Sequence, residues 1–102
     1  MRQVSESQKK KNAAVAKIKS QLMDETGPVC RICQNYGYQA AHLLPKGEFP
    51  EYYTEPRNIV LLCHEHHDLY DNNISFRKQQ TSLISQCREY ALESDITRYF
   101  KL

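Results

Sequence analysis

Two short stretches of the chain concentrate side chains that can hold a metal. Cys30-Arg-Ile-Cys33 and Cys63-His-Glu-His66 each set two donors three positions apart. At that spacing a tight turn or a helix start can bring both donors onto one ion. Together they predict a closed Cys3His set of Cys30, Cys33, Cys63 and His66, holding a structural Zn2+ with no position left open. His64 and His67 flank His66 and could replace it; the two-residue gap favours His66. Three of the four histidines fall between positions 63 and 67. Packing alone does not explain such a cluster, because a buried imidazole needs a partner for each ring nitrogen.

With His66 given to zinc, His64, His67 and Asp71 remain. His67 and Asp71 are four apart, so on a helix they share one face. An imidazole and a carboxylate placed in this way can bind a second, open metal, which would make a catalytic site rather than a staple.

The elements that must position these groups are legible from pattern. Residues from about Ser5 to Asp24 read as a helix, with Ser5-Glu-Ser-Gln8 fitting a capping box. Ala14, Val15, Ile18, Leu22 and Met23 form its narrow apolar stripe, and Gly27-Pro28 ends it. Lys9, Lys10 and Lys11 lie on this helix, which could pack on the core, contact phosphates, or both. The first cysteine pair precedes Asn35-Tyr36-Gly37, a turn, and so resembles a zinc knuckle rather than a redox CxxC opening a helix. Gln39 to Leu44 reads as a short strand ended by Pro45. Residues 46–57 form a loop rich in Gly, Pro and aromatics, whose tyrosines mostly pack beneath it. Asn58–Leu62 is a second strand, and the histidine run opens a helix to about Asp71, with a break at Asn72-Asn73. From about Ser75 the chain reads as helical to its end, with Phe76, Leu83, Ile84, Cys87, Tyr90 and Ala91 on one face. Leu92, Ile96, Tyr99 and Phe100 continue that pattern, and Ser94-Asp95 offers a break and new cap. Cys87, alone in the apolar stripe, reads as a small buried hydrophobe.

One domain fits the 102 residues. A basic N-terminal helix spans 1–28, the knuckle and core 29–72, and C-terminal helices 73–102. The fold class is α+β. Mean hydropathy is −0.71, and so short a chain buries a modest core, which a metal staple would offset. There is no long apolar run for a membrane span. The N-terminus is polar, without an apolar signal core, which points to a reducing cytoplasm. There, these cysteines suggest metal rather than disulfides. Residues 1–25 carry six Lys/Arg against three Asp/Glu, residues 26–73 three against six, and residues 74–102 five against three. An acidic centre suits a hard cation and basic flanks suit a polyanion, although ordinary solvated helix faces would look the same.

The order Cys30/Cys33, Ala41-His42-Leu43-Leu44-Pro45, Asn58-Ile-Val-Leu-Leu-Cys63 and His66-His67 resembles the HNH endonucleases of the ββα-metal type, over roughly residues 29–72. The resemblance implies a zinc-stapled ββα core and hydrolysis of phosphodiester bonds in DNA. By resemblance, His42 is the general base that activates water, Asn58 holds the loop bearing His42, and His67 binds the catalytic cation. That cation would be Mg2+ or another divalent ion such as Mn2+ or Ni2+. Many members carry a metal-binding aspartate just before the first histidine. Here that position is Ala41, so the acid must come from elsewhere: Asp71, or Glu48, Glu51 or Glu55 in the loop. His66 also stands where a fourth cysteine is usual, a change zinc accepts. Lys9, Lys10, Lys11, Lys46 and Arg57 are candidate phosphate contacts. The implied partner is DNA, with a homodimer or larger assembly if both strands are cut, in a bacterial or phage-infected cell. The alternative is a non-catalytic zinc module that binds nucleic acid or a protein, which leaves His42, Asn58 and Asp71 without a task. A redox role for the CxxC is a minor third reading.

Overall fold

The computed structural model describes residues 6–102. At its centre Ile59–Leu62, strand β2, is buried along its whole length. β2 pairs antiparallel with β1, Gln39–His42, in the register Gln39 opposite Leu62 and His42 opposite Ile59. A strand alternates faces, so an unbroken apolar strand needs cover on both. Val60 and Leu62 join the main core with Ala41, Leu43, Phe49 and Tyr70. On the other side, helix α1 (Glu6–Thr26) lies against β2 with Ile18 as its buried residue. Gly27, at φ 74°, closes α1 and donates its N–H to the Met23 carbonyl, a left-handed helix end that glycine adopts freely. Thr26 ends the helix two residues past the expected Asp24. The expected cap at Ser5 lies outside the described residues.

β1 stops at His42, earlier than the Pro45 boundary read from sequence. The reason is Asn58, which is fully buried. Its carbonyl accepts from the Leu43 N–H and its side-chain oxygen from the Leu44 N–H at 2.9 Å, while its amide donates to the Leu44 and Tyr52 carbonyls. The first bond carries the β1–β2 register one residue further, and the side-chain bonds then take up Leu44 in place of a ladder partner. Two 3-10 turns, Pro50–Tyr52 and Pro56–Asn58, carry the loop back to β2.

Helix α2 runs from His64 to Asn72 and packs on both strands. The helical C-terminal segment expected from sequence is three short helices, one more break than the sequence offered: α3 (Ile74–Lys78), α4 (Thr81–Cys87) and α5 (Glu93–Phe100). The Asn73 side chain caps α3 by accepting from the Phe76 N–H. The later break falls at Arg88–Leu92, not at Ser94-Asp95, which lie in the first turn of α5. Asp95 does not cap; its carboxylate accepts from the Tyr52 hydroxyl at 2.7 Å. Leu92, placed on the apolar face by its spacing, is exposed at this break. The breaks let α5 fold back, so that Ile96, Tyr99 and Phe100 close the core over Tyr70. Cys87 is fully buried there, and burial pushes its thiol up to about 11. No helix among the described residues is long and apolar enough to cross a membrane.

The knuckle depends on one close approach. A Cβ on Gly37 would meet the Cys30 backbone at 2.7 Å, whereas Gly47 faces open space. Gly37→Ala should therefore lower stability by about 1–3 kcal/mol and weaken zinc retention, because rigid backbone must move. Gly47→Ala should stay within about 0.5 kcal/mol. Chemical denaturation with zinc quantitation on both variants checks the contrast.

Candidate metal centre and active-site cleft

The four expected zinc ligands meet. The donor atoms of Cys30, Cys33, Cys63 and His66 all lie within 4.8 Å of one another. Sulfurs bound to one tetrahedral zinc stand about 3.8 Å apart, from a bond of about 2.3 Å. Cys33 Sγ and Cys63 Sγ are separated by 3.9 Å, and His66 Nδ1 lies 3.8 Å from Cys30 Sγ and 3.2 Å from Cys63 Sγ. The set therefore fits a tetrahedral ion such as Zn2+. Among the described residues it is the one group of three or more His, Cys, Asp or Glu side chains gathered closely enough to hold a metal.

Each half is built locally. Cys30 donates its N–H to the Asn35 carbonyl and its carbonyl accepts from Gln34, which takes φ 62° to close the knuckle. The Arg31 N–H donates to the Leu61 carbonyl, tying the knuckle to β2. Cys63 directly follows β2 and caps α2, its sulfur accepting from the His66 N–H. The His66 ring lies parallel to Phe76 at 5.7 Å, so Phe76 covers the metal centre.

The thiols are electrostatically unequal. Burial raises the Cys30 thiol, but amide hydrogen bonds from Cys33, Cys63 and Ile32 and contact with His66 outweigh it and bring it down to about 6. Cys63 is pushed up by burial and by its neighbours Cys30 and Cys33. One thiolate forms readily, and its charge opposes the next. A divalent ion relieves that repulsion, which suits this donor set to zinc.

His64 and His67 are not part of the cluster. His64 is exposed, with Nδ1 3.3 Å from Gln39 Nε2. His67 faces a cleft of about 730 Å³ whose walls include His42, Lys46, Glu48, Asp71 and Arg98. His67 Nε2 lies 3.3 Å from Asp71 Oδ2, the one-turn pairing expected on a helix. Donation of a hydrogen bond to the Asp71 carboxylate raises the His67 pKa, against a smaller opposing effect of burial. His67 Nδ1 donates to Gln39 Oε1 at 2.8 Å; the acceptor is a carbonyl oxygen, so the ring proton sits on Nδ1.

His42 ends β1 on the opposite wall. Its Nε2 lies 3.2 Å from the Tyr53 carbonyl, which can only accept, so Nε2 carries the proton and Nδ1 the lone pair. The Tyr53 ring stacks on the imidazole at 4.9 Å, and Lys46 Nζ sits over that ring. Partial burial lowers the His42 pKa, with the Tyr53 carbonyl working the other way. Asn58 fixes both sides of this arrangement, through Leu44 after His42 and through Tyr52 before Tyr53. The Tyr90 hydroxyl completes its bonding by donating to Asn58 Oδ1.

Ala41, where the family's aspartate would stand, points into the core and is fully buried; Ala40 is the β1 residue beside His42 that lines the cleft. Of the loop glutamates, Glu48 lines the cleft, while Glu55 is held by Arg57 at 2.7 Å. Glu51 is exposed in the first 3-10 turn and is not part of the cleft wall. Lys46 is on the cleft, but Arg57 is not: it pairs with Glu55 and donates to the Glu89 carbonyl, beside a second groove. Lys9, Lys10 and Lys11 are exposed on α1, away from the cleft wall. The sequence reading missed Gln39, Tyr53, Arg98 and Lys101, all of which touch His67, His42 or the cleft. The basic C-terminal flank was the only signal for the last two.

Residues 28–74 match the family model described as HNH endonuclease. The match covers the knuckle, both strands and α2. No curated protein and no solved structure matched the chain.

The His67–Asp71 pair sets a pH dependence. A cation binding at His67 Nε2 would compete with a proton there, and Asp71 holds that proton to a pH above the ordinary value of about 6.5. Divalent-ion affinity should thus be weak at low pH, climb as pH rises through the raised pKa, and level off above it. In Asp71→Asn the midpoint should move to lower pH and the plateau affinity should fall. Mn2+ titrations followed by electron paramagnetic resonance, across pH, read both changes.

Proposed function

We propose that the protein is a metal-dependent endonuclease that hydrolyses phosphodiester bonds in DNA, with Zn2+ as a structural ion in the Cys3His set. The observation that carries this reading is the meeting of His42, His67 and Asp71 in one open cleft. His42 lines that cleft rather than the core, which favours a nuclease over a zinc module with no chemistry to perform.

The roles follow from the proton positions. His42 keeps its proton on Nε2 against the Tyr53 carbonyl and presents the Nδ1 lone pair as general base. Its lowered pKa keeps the ring neutral near pH 7. Nδ1 takes a proton from water as the water oxygen bonds to phosphorus and the bond to the leaving sugar oxygen breaks. His67 Nε2 and Asp71 supply two donors for a divalent cation, leaving the other positions to water and phosphate oxygens, as Mg2+-type sites commonly do. When bound, that cation stabilises the charge on the phosphate and the leaving oxygen. Lys46, Arg98 and Lys101 give the cleft a cationic rim for neighbouring phosphates. The Arg98 side chain is 59% exposed, with Asp95 only at 4.0 Å and its guanidinium resting over the Phe49 ring. One cleft serves one strand at a time, so cutting both strands takes two copies or two visits.

Plasmid nicking by wild type and His42→Ala, with EDTA, Mg2+, Mn2+ and Ni2+ in turn, tests the reading. Metal-dependent nicking should fall by about 10²–10⁴-fold in the variant, with zinc content and fold unchanged. At saturating metal the wild-type rate should hold through the ordinary histidine value of about 6.5 and drop only as pH falls through the lowered pKa of His42. A wild type that binds DNA but cuts with no ion would instead favour the zinc binding module.

A further inference from the structure

The shortest side-chain hydrogen bond of His67 is to the sheet, not to its own helix. Gln39 opens β1, where pairing with Leu62 fixes its backbone one residue from the zinc ligand Cys63. Its Oε1 accepts from His67 Nδ1 at 2.8 Å, and its Nε2 lies 3.3 Å from His64 Nδ1. An amide nitrogen can only donate, so His64 accepts, and this orients the amide with its oxygen toward His67.

We infer that Gln39 is a positioning residue that holds His67 in the tautomer able to bind a divalent cation. The inference rests on the reading of His67 as a ligand of that cation. A neutral imidazole has one ring proton, and the bond made by one nitrogen decides which carries it. Two acceptors compete for that proton: Gln39 Oε1 at Nδ1 and Asp71 Oδ2, 3.3 Å from Nε2. If Asp71 wins, Nε2 carries hydrogen and the cleft-facing lone pair is lost. Gln39 keeps the proton at Nδ1 and so leaves Nε2 and Asp71 as a pair of donors. Partners of this kind behind a metal-binding histidine are commonly worth about 10–100-fold in metal affinity.

Zinc-loaded wild type, Gln39→Leu and Gln39→Glu test this. Gln39→Glu retains an acceptor where Gln39→Leu has none. Side-chain nitrogen–proton correlation spectra at about pH 8.5, above the usual range for histidine, read the tautomer without the second metal. Wild type and Gln39→Glu should show His67 protonated at Nδ1, and Gln39→Leu should shift to Nε2. Mn2+ affinity should fall about 10–100-fold in Gln39→Leu and stay within a few-fold in Gln39→Glu. If Gln39→Leu loses zinc, Gln39→Asn, whose shorter amide cannot reach His67, takes its place with the same expectations. An unchanged tautomer and unchanged Mn2+ affinity in the acceptor-less variant would overturn the inference. A wild type that cuts no DNA, beside a variant that shows both shifts, would overturn the nuclease reading and support the role of Gln39.

Discussion

Cys63 is the residue on which the arrangement turns. It directly follows β2, caps α2 through its sulfur, and offers that same sulfur to the Cys3His set. A strand and a helix joined without a loop have little freedom to change their relative direction. Fixing Cys63 therefore fixes where His66 and His67 project, one toward the knuckle and the next toward the cleft. The two adjacent histidines face different places, His66 the Cys3His set and His67 the cleft, because successive helix positions are rotated by about 100°. Zinc at the first centre would then hold the second in place without taking part in its chemistry.

The other wall of the cleft is held by a neutral polar group. Asn58 is buried, yet its amide and its backbone carbonyl are all engaged. A buried amide with satisfied bonds is directional in a way an apolar residue is not. It decides where β1 ends and sets the Tyr53 carbonyl that orients His42. The two histidine walls are thus fixed by unlike means, a Cys3His set that could hold a metal on one side and a hydrogen-bonded asparagine on the other, with the β1–β2 ladder between them.

How far the sequence revealed this depends on how local each determinant is. The zinc donors were legible because each pair sits within a single turn, and only the ion must bring the pairs together. His67 and Asp71 were legible for the same reason, through helix periodicity. Gln39 was not, because its partner lies 28 positions away and is chosen by how α2 packs on β1. The C-terminal third read as helical with a break only at Ser94-Asp95, because its apolar spacing is nearly continuous before it. Its breaks follow tertiary demands, including the capture of Asp95 by Tyr52. Net basicity of the flanks was visible, but not which cations reach the cleft. Arg57 drops out through a carboxylate only two residues away, a pairing that local reading could have considered.

Arg77 carries a consequence for where the folding unit ends. It is almost fully buried, its guanidinium 4.0 Å from the Tyr99 ring centre, and it donates to the carbonyls of Tyr70, Asp71 and Tyr99. The first two carbonyls belong to the last turn of α2, where a cation is favoured. The segment matched to the family stops at residue 74, three positions before this arginine. The chemical motif is therefore shorter than the cooperative unit that supports it. Excised at that boundary, α2 would lose the group that satisfies its C-terminal carbonyls, and Tyr70 would lose the cover of Tyr99 and Phe100. The final helices act as the keystone of the metal-binding segment rather than as an appendage to it.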